Sequence, residues 1–300
     1  MSRIEEALRR ASTARAGAEA ALVPDVVPGP LDGTPLTRYP REARREEGGS
    51  RQKTSDVTPP PRAVPREPAA LRPGPLVEGL DAKLILSHAT PVAVEQYRRL
   101  AGTLHGLQAE HGTKTVMVTS ALPREGKTLT VTNLALTLSE SYGRRVLLID
   151  ADLRRPAVHE MLRVPNGRGL SDGLRAQSGA LPVVQVSPNL SVLPAGRADS
   201  NPMAGLTSDR MRGLLEESAS LFDWVLVDTP PVGIMPDAHL LARQSHGVIF
   251  VIAANSTPFA LVQRAVTEIG REHIIGTVLN RIDAGSNPAT AYYGHYYDTD

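Results

Sequence analysis

The sequence predicts an α/β fold: a mostly parallel sheet covered by helices on both faces, preceded by a disordered proline-rich arm. Three observations carry that prediction. Six short apolar runs alternate with stretches of helical periodicity through the C-terminal two thirds of the chain. Several of these runs are apolar at consecutive positions, as strands buried on both faces are. Gly126-Lys127-Thr128 stands where one such run gives way to a helix.

Residues 1–80 form the arm. Ile4, Ala7, Leu8 and Ala11 lie at helical spacing, and a helix this short is marginal by itself. The text from "VPDVVPGP" to "VPREP" is rich in prolines and mixed charges, and the arm holds about half of the chain's 25 prolines. Such a segment cannot bury enough apolar surface to offset its ordering entropy, so it reads as a linker or tether. Order is expected from Asp81 onward, and the folded domain spans 81–285.

"ATPVAVEQYRRLAGTLHGLQAEHG" opens that domain as a helix. Thr90 is the expected N-cap and Pro91 the first helical residue, with Val94, Tyr97, Leu100, Leu104 and Leu107 on one face. "TVMVTS" (115–120) is the first strand; a loop and a helix follow, with Leu134, Ala135 and Leu138 inward and Gly143 near its stop. "RVLLID" (145–150), "LSVLP" (190–194), "WVLVD" (224–228), "GVIFVI" (247–252) and "IIGTVLN" (274–280) are five more strands. Helical patterns occupy 208–220 and 258–271. Residues 286–300 are a tail carrying Tyr292, Tyr293, Tyr296 and Tyr297, four of the seven tyrosines, beside Asp298 and Asp300.

Composition excludes several function classes. The formal net charge of +1 gives no bulk attraction to nucleic acid. The absence of cysteine removes disulfides, thiolate metal sites and cysteine nucleophiles. No run of about 18 apolar residues is present to span a membrane, and the charged N-terminus lacks the apolar core of a secretory signal. A cytosolic protein is expected.

Three motifs carry chemistry. "TSALPREGKTLTVTNLA" runs from a strand into a helix and ends its loop in Gly126-Lys127-Thr128, as a phosphate-binding loop does, although Ala121 replaces the usual first glycine. The loop of Pro123, Arg124, Glu125, Gly126, Lys127, Thr128 and Leu129 would cradle phosphate at the helix N-terminus through the backbone N–H groups that follow Pro123. Lys127 would reach the β- and γ-phosphates, and the Thr128 hydroxyl would ligate Mg²⁺. "VLLIDADLRRP" delivers Asp150 at the carboxyl end of a strand with Asp152 just beyond, where ligands bind in open α/β sheets. A strand-ending Asp that caps the next helix is the alternative for Asp150. "WVLVDTPP" places Asp228 at the end of another strand, to polarise Mg²⁺ or its water, with Thr229-Pro230-Pro231 a stiff turn that could sense the γ-phosphate. Asn280, after the last strand, is a candidate nucleotide-base contact. His159 and His239 have no partner at metal-ligand spacing and are expected to pack.

With these motifs in this order, and with "GLSDGL", "NLSVLPAG" and "NPMAGL" between them, residues 84–300 resemble the bacterial tyrosine kinases (BY-kinases) of capsule and exopolysaccharide synthesis. The resemblance implies a three-layer P-loop NTPase domain of MinD/ParA-like fold that binds ATP and Mg²⁺. It implies a protein-tyrosine autokinase with Lys127, Asp150 and Asp152 as catalytic residues, and Thr128, Asp152 and Asp228 at the metal. Asp150 is then the candidate acceptor of the tyrosine proton. The tail tyrosines would be phosphoacceptors, modified by a neighbouring protomer in a homo-oligomer. The implied partners are a membrane polysaccharide co-polymerase that recruits and activates the kinase at the inner face of the cell membrane, and a tyrosine phosphatase.

The chain departs from the family pattern in two places. Arg124 stands where the P-loop usually has glycine. The E-x-x-R-x-x-R helix motif tied to subunit contacts keeps Glu95 and Arg98 but has Ala101 in its third position, and Arg99 lies elsewhere on the helix. Two other readings remain. A ParA/MinD-like switch ATPase would carry an additional lysine early in the loop, where Leu122 stands. A nucleotide-binding scaffold with little kinase turnover would use the tyrosines as a docking patch.

Overall fold

In the computed structural model of the chain, the described residues are Leu84, 91–176, 181–198, 202–233 and 237–282. The N-terminal arm, Asp81, Thr90 and the four tail tyrosines lie outside them. Helix α1 (Pro91–His111) begins at the proline expected to start it, and β1 (Thr115–Ser120) follows. The phosphate-loop region follows, then α2 (Lys127–Leu136), which runs on through a π turn (Thr137–Ser141) to Gly143 at φ 60°. β2 (Val146–Asp150), α3 (Val158–Leu162), α4 (Leu170–Arg175), β3 (Val184–Gln185) and β4 (Leu190–Leu193) come next. The remainder is α5 (Pro202–Leu206), α6 (Asp209–Leu221), β5 (Trp224–Asp228), α7 (Asp237–Ala242), β6 (Gly247–Ala253), α8 (Phe259–Ile269) and β7 (Ile274–Asn280).

The strands form one sheet in the order β3-β4-β2-β5-β1-β6-β7. Every pairing is parallel except β3 with β4. Consecutive apolar residues are needed because each strand feeds two cores. Met117, Leu147 and Ile149 face one, with α4, α5, α6 and α8, through Leu170, Leu206, Met211 and Val262. Val116, Val118, Val146 and Leu148 face the other, with α1, α2 and α3, through Leu104, Leu134 and Val158. These are three layers, with the sheet in the middle. The six predicted strands are all present, with ends that move by at most one residue. The edge strand β3 and the short helices α3, α4, α5 and α7 carry too few residues to show a period.

This topology places the site. β1 lies between β5 and β6, and β5 separates β1 from β2. In register, Val118 pairs with Asp228 and Asp228 with Asp150. The loops leaving β1, β5 and β2 therefore emerge side by side at one carboxyl edge of the sheet.

Candidate functional site

Lys127 is the first residue of α2, and its Nζ lies 3.1 Å from Asp152 Oδ2 in a mostly buried ion pair. The next residue, Thr128, donates its hydroxyl to Asp228 Oδ2 at 2.7 Å. The sequence-predicted P-loop, the loop after β2 and the end of β5 thus meet through two direct contacts. Burial lowers the Lys127 pKa, the Asp228 and Asp152 carboxylates raise it, and the net direction is upward.

Asp150 is fully buried, and both its oxygens accept backbone N–H groups. Oδ1 takes Asp152 N at 3.2 Å; Oδ2 takes Ala157 N and Val158 N, each at 3.1 Å. It therefore fastens the 151–158 loop and caps the start of α3, the alternative open for it in the sequence, while remaining next to Asp228. Burial pushes its pKa well up, and the Asp228 charge adds to this.

Asp228 is also fully buried, and its Oδ1 has no hydrogen-bond partner among the described residues. Burial pushes its pKa up to about 6 against the attraction of Lys127. Three carboxylates share one ammonium here, a surplus of negative charge that is costly to desolvate. A hard divalent cation fits this arrangement. The orphaned oxygen and the Thr128 hydroxyl would be its oxygen donors, and nucleotide phosphates and water would complete the shell. Among the described residues no cluster of three or more His, Asp or Glu side chains is set to hold a metal alone.

A stability prediction follows from the sign of the Asp228 shift. A carboxyl raised from 3.8 to about 6 contributes stability below the lower value that is lost as pH rises through the upper one. The nucleotide-free protein is expected to lose thermal stability over that window. Asp228→Asn is expected to flatten the dependence and raise the melting midpoint at about pH 8, by about 2–4 °C for each kcal/mol relieved. Thermal melts across pH, with and without Mg²⁺ and nucleotide, check this.

The loop is fastened from behind by contacts the sequence does not announce. Glu125, expected in the phosphate cradle, turns its side chain inward and is almost wholly buried. Its Oε2 accepts Leu122 N at 2.6 Å; its Oε1 accepts the Thr257 hydroxyl and, at 3.4 Å, Ala253 N at the end of β6. Asn280, the candidate base contact, donates its amide to the Glu125 carbonyl at 2.9 Å. Its side chain lies against the P-loop backbone at Gly126, which has φ 95°. Arg124 also holds a left-handed φ of 65°, the conformation that glycine adopts freely, and its side chain is exposed. In the Thr229-Pro230-Pro231 turn, the Thr229 hydroxyl donates to the Val118 carbonyl at 3.0 Å and is buried. Its turn ties β5 to β1, with Thr119 Oγ1 donating to Pro230 O at 2.9 Å.

Away from this edge, Glu95 pairs with Arg99 at 3.5 Å rather than with Arg98, which is exposed and accepts the Tyr142 hydroxyl at its carbonyl. Ala101 is fully buried, so the third position of the helix motif faces the core in this chain. Of the two histidines expected to pack, His239 bonds the Glu268 carbonyl through Nδ1, and the His159 Nδ1 is buried without a partner.

Comparison with known proteins bears on the fold and the family. Residues 116–292 match the family of the CobQ/CobB/MinD/ParA nucleotide binding domain. The chain is 34% identical to the tyrosine-protein kinase YwqD of Bacillus subtilis over 67% of its own length and 86% of that protein. It is 30% identical to the putative tyrosine-protein kinase CapB of Staphylococcus aureus, over 66% of this chain and 89% of CapB. The kinase domain of the Escherichia coli tyrosine kinase Etk superposes with a TM-score of 0.60 at 33% identity, covering 63% of this chain and 76% of that one. Against full-length Etk the match spans 29% of that protein's length. The three-layer fold, the nucleotide site at its carboxyl edge and these identities together assign the chain to the bacterial tyrosine kinase family.

Proposed function

We propose that this tyrosine kinase transfers the γ-phosphoryl group of ATP to Tyr292, Tyr293, Tyr296 and Tyr297 of a neighbouring copy of itself. The observation that carries the reading is the meeting of Lys127 and Thr128 with Asp152 and Asp228 at the ends of three adjacent strands. Phosphoryl transfer needs charge neutralisation and alignment more than covalent catalysis. Mg²⁺, held by Thr128, Asp228 and, through water, Asp152, would supply charge neutralisation on the phosphate oxygens. Lys127 exchanges Asp152 for the β- and γ-phosphates. The incoming tyrosine oxygen forms the new bond to the γ-phosphorus as the bond to the ADP oxygen breaks.

The tyrosine proton passes to Asp150. A phenol with its ordinary pKa near 10 arrives protonated, and the upward shift at Asp150 favours taking that proton. Three N–H bonds leave one of the roughly four acceptor sites of the carboxylate for it. The capsule and exopolysaccharide setting, the recruiting membrane co-polymerase and the opposing phosphatase extend the same reading. Among the described residues no helix is long and apolar enough to cross a membrane, so a membrane partner would bring the chain to the inner face. Glu95 and Arg98 on α1 remain the proposed subunit contacts. Leu122, where a switch ATPase would place its additional lysine, favours the kinase reading.

Transfer between copies is tested by mixing two full-length chains with ATP and Mg²⁺. The donor has its four tail tyrosines changed to Phe; the acceptor carries Lys127→Met. Phosphate on the acceptor tail is expected. Its absence, with the unmixed wild type still labelling itself, would show transfer within one chain.

A further inference from the structure

We propose that Arg124 and Arg155 form a cationic rim that docks the acidic tyrosine tail of a second copy of this chain. The inference rests on the kinase reading and names the substrate-recognition residues of the same site. The two arginines bracket the site's ion pair. Arg124 stands three residues before Lys127, Arg155 three residues after Asp152, and the pair between them closes at 3.1 Å. The Arg155 backbone is pinned in place, its N–H reaching both Asp152 O at 3.2 Å and Asp152 Oδ1 at 3.0 Å. The loops carrying them leave β1 and β2, which flank β5 on the same edge.

Both side chains are exposed, and neither guanidinium makes a hydrogen bond or ion pair among the described residues. A fixed cation that only stabilised the fold would have a carboxylate beside it. The floor of the site and the substrate carry charge of the same sign: Asp150, Asp152 and Asp228 are buried there, and the tail carries Asp298 and Asp300 next to its tyrosines. Each phosphate adds about −1.5 to −2 charge to it. Without exposed cations at the rim, an acidic peptide would be repelled by the floor. Arginine suits the task because its planar fork binds carboxylate and phosphate bidentately.

The backbone of Arg124 supplies the second argument. At φ 65° a side chain is strained where glycine would not be. Strain of this kind is retained where function requires the residue. An Arg at this loop position keeps the left-handed turn and adds a charge to it.

The test is a cycle of four rates of transfer between full-length chains. The acceptors are Lys127→Met with the native tail, and the same chain with Asp298→Asn and Asp300→Asn. The donors carry four tail Tyr→Phe changes, with Arg124 and Arg155 either native or replaced as Arg124→Gly and Arg155→Gln. With the native rim, neutralising the tail is expected to lower kcat/KM by about tenfold, in line with charge pairs at a docking interface. With the rim replaced, the same change is expected to lower it by less than about twofold, because the partner of the tail charge is gone. Any effect of the rim on nucleotide binding or folding is common to both acceptors and cancels in the ratio. An equal loss from tail neutralisation with both donors overturns the proposal. A loss of transfer in all four combinations would instead remove the kinase reading on which it rests.

Discussion

Lys127→Met is expected to abolish tail phosphorylation, by about 10³-fold or more. Removing one preorganised electrostatic donor to a developing charge ordinarily costs about 10²–10³ in rate, and this residue does more than donate. It is the ammonium that three carboxylates of the site hold at a raised pKa, and it pairs directly with Asp152. Without it, Asp150, Asp152 and Asp228 face one another uncompensated. Protonation of Asp228 and Asp150, both already shifted upward, is expected to relieve that repulsion, so the variant should gain thermal stability as pH falls toward 6 and lose it above. Rates of phosphate incorporation and melts across pH separate the two effects. A variant that retained more than about a tenth of wild-type transfer would remove Lys127 from the phosphate contact proposed for it.

The second large effect is expected at Gly126. A Cβ there would lie 2.0 Å from Asn280 Nδ2, and the residue sits at φ 95°. Gly126→Ala should therefore cost about 1 kcal/mol for the left-handed backbone and about 1–3 kcal/mol for displacing Asn280. It should also cost most nucleotide affinity, because Asn280 fastens the Glu125 carbonyl in the loop. Adding Asn280→Ala removes the clash and leaves the backbone term. The double variant is expected to recover the larger part of the stability in urea unfolding, while nucleotide affinity stays low. If the two losses were simply additive, the contact between Asn280 and the loop would not be what constrains this glycine.

Much of this arrangement was legible in the sequence. The strands announced themselves because each must supply two cores, which forces apolar residues at consecutive positions such as 146–149. The carboxylates at 150 and 228 were legible for the same reason: a charge that ends an apolar strand has few reasons to be there apart from chemistry or a cap. The structure gives Asp150 a capping bond set beside the nucleotide cleft.

What the sequence could not show are contacts between residues far apart in the chain. Glu125 and Thr257 are 132 residues apart, and Asn280 and Glu125 are 155 apart. None of these side chains sits at a spacing that would flag its partner. A hydroxyl after a strand can turn either to a ligand or to the neighbouring strand; for Thr229 the Val118 carbonyl takes it. Ala101 shows the reverse. A helix motif fixes spacing, but the way α1 rolls onto the sheet decides which positions remain outside.

The most direct test is intact-mass spectrometry of the full chain after incubation with ATP and Mg²⁺. Lys127→Met and a chain ending before Tyr292 are run beside it, and the cytosolic part of an activating membrane partner is added to a parallel set. Successive phosphate-sized additions are expected in the wild type and in neither variant. Hydrolysis of ATP with no mass added to the chain, with or without the activator, would contradict the account and make the site that of a switch ATPase.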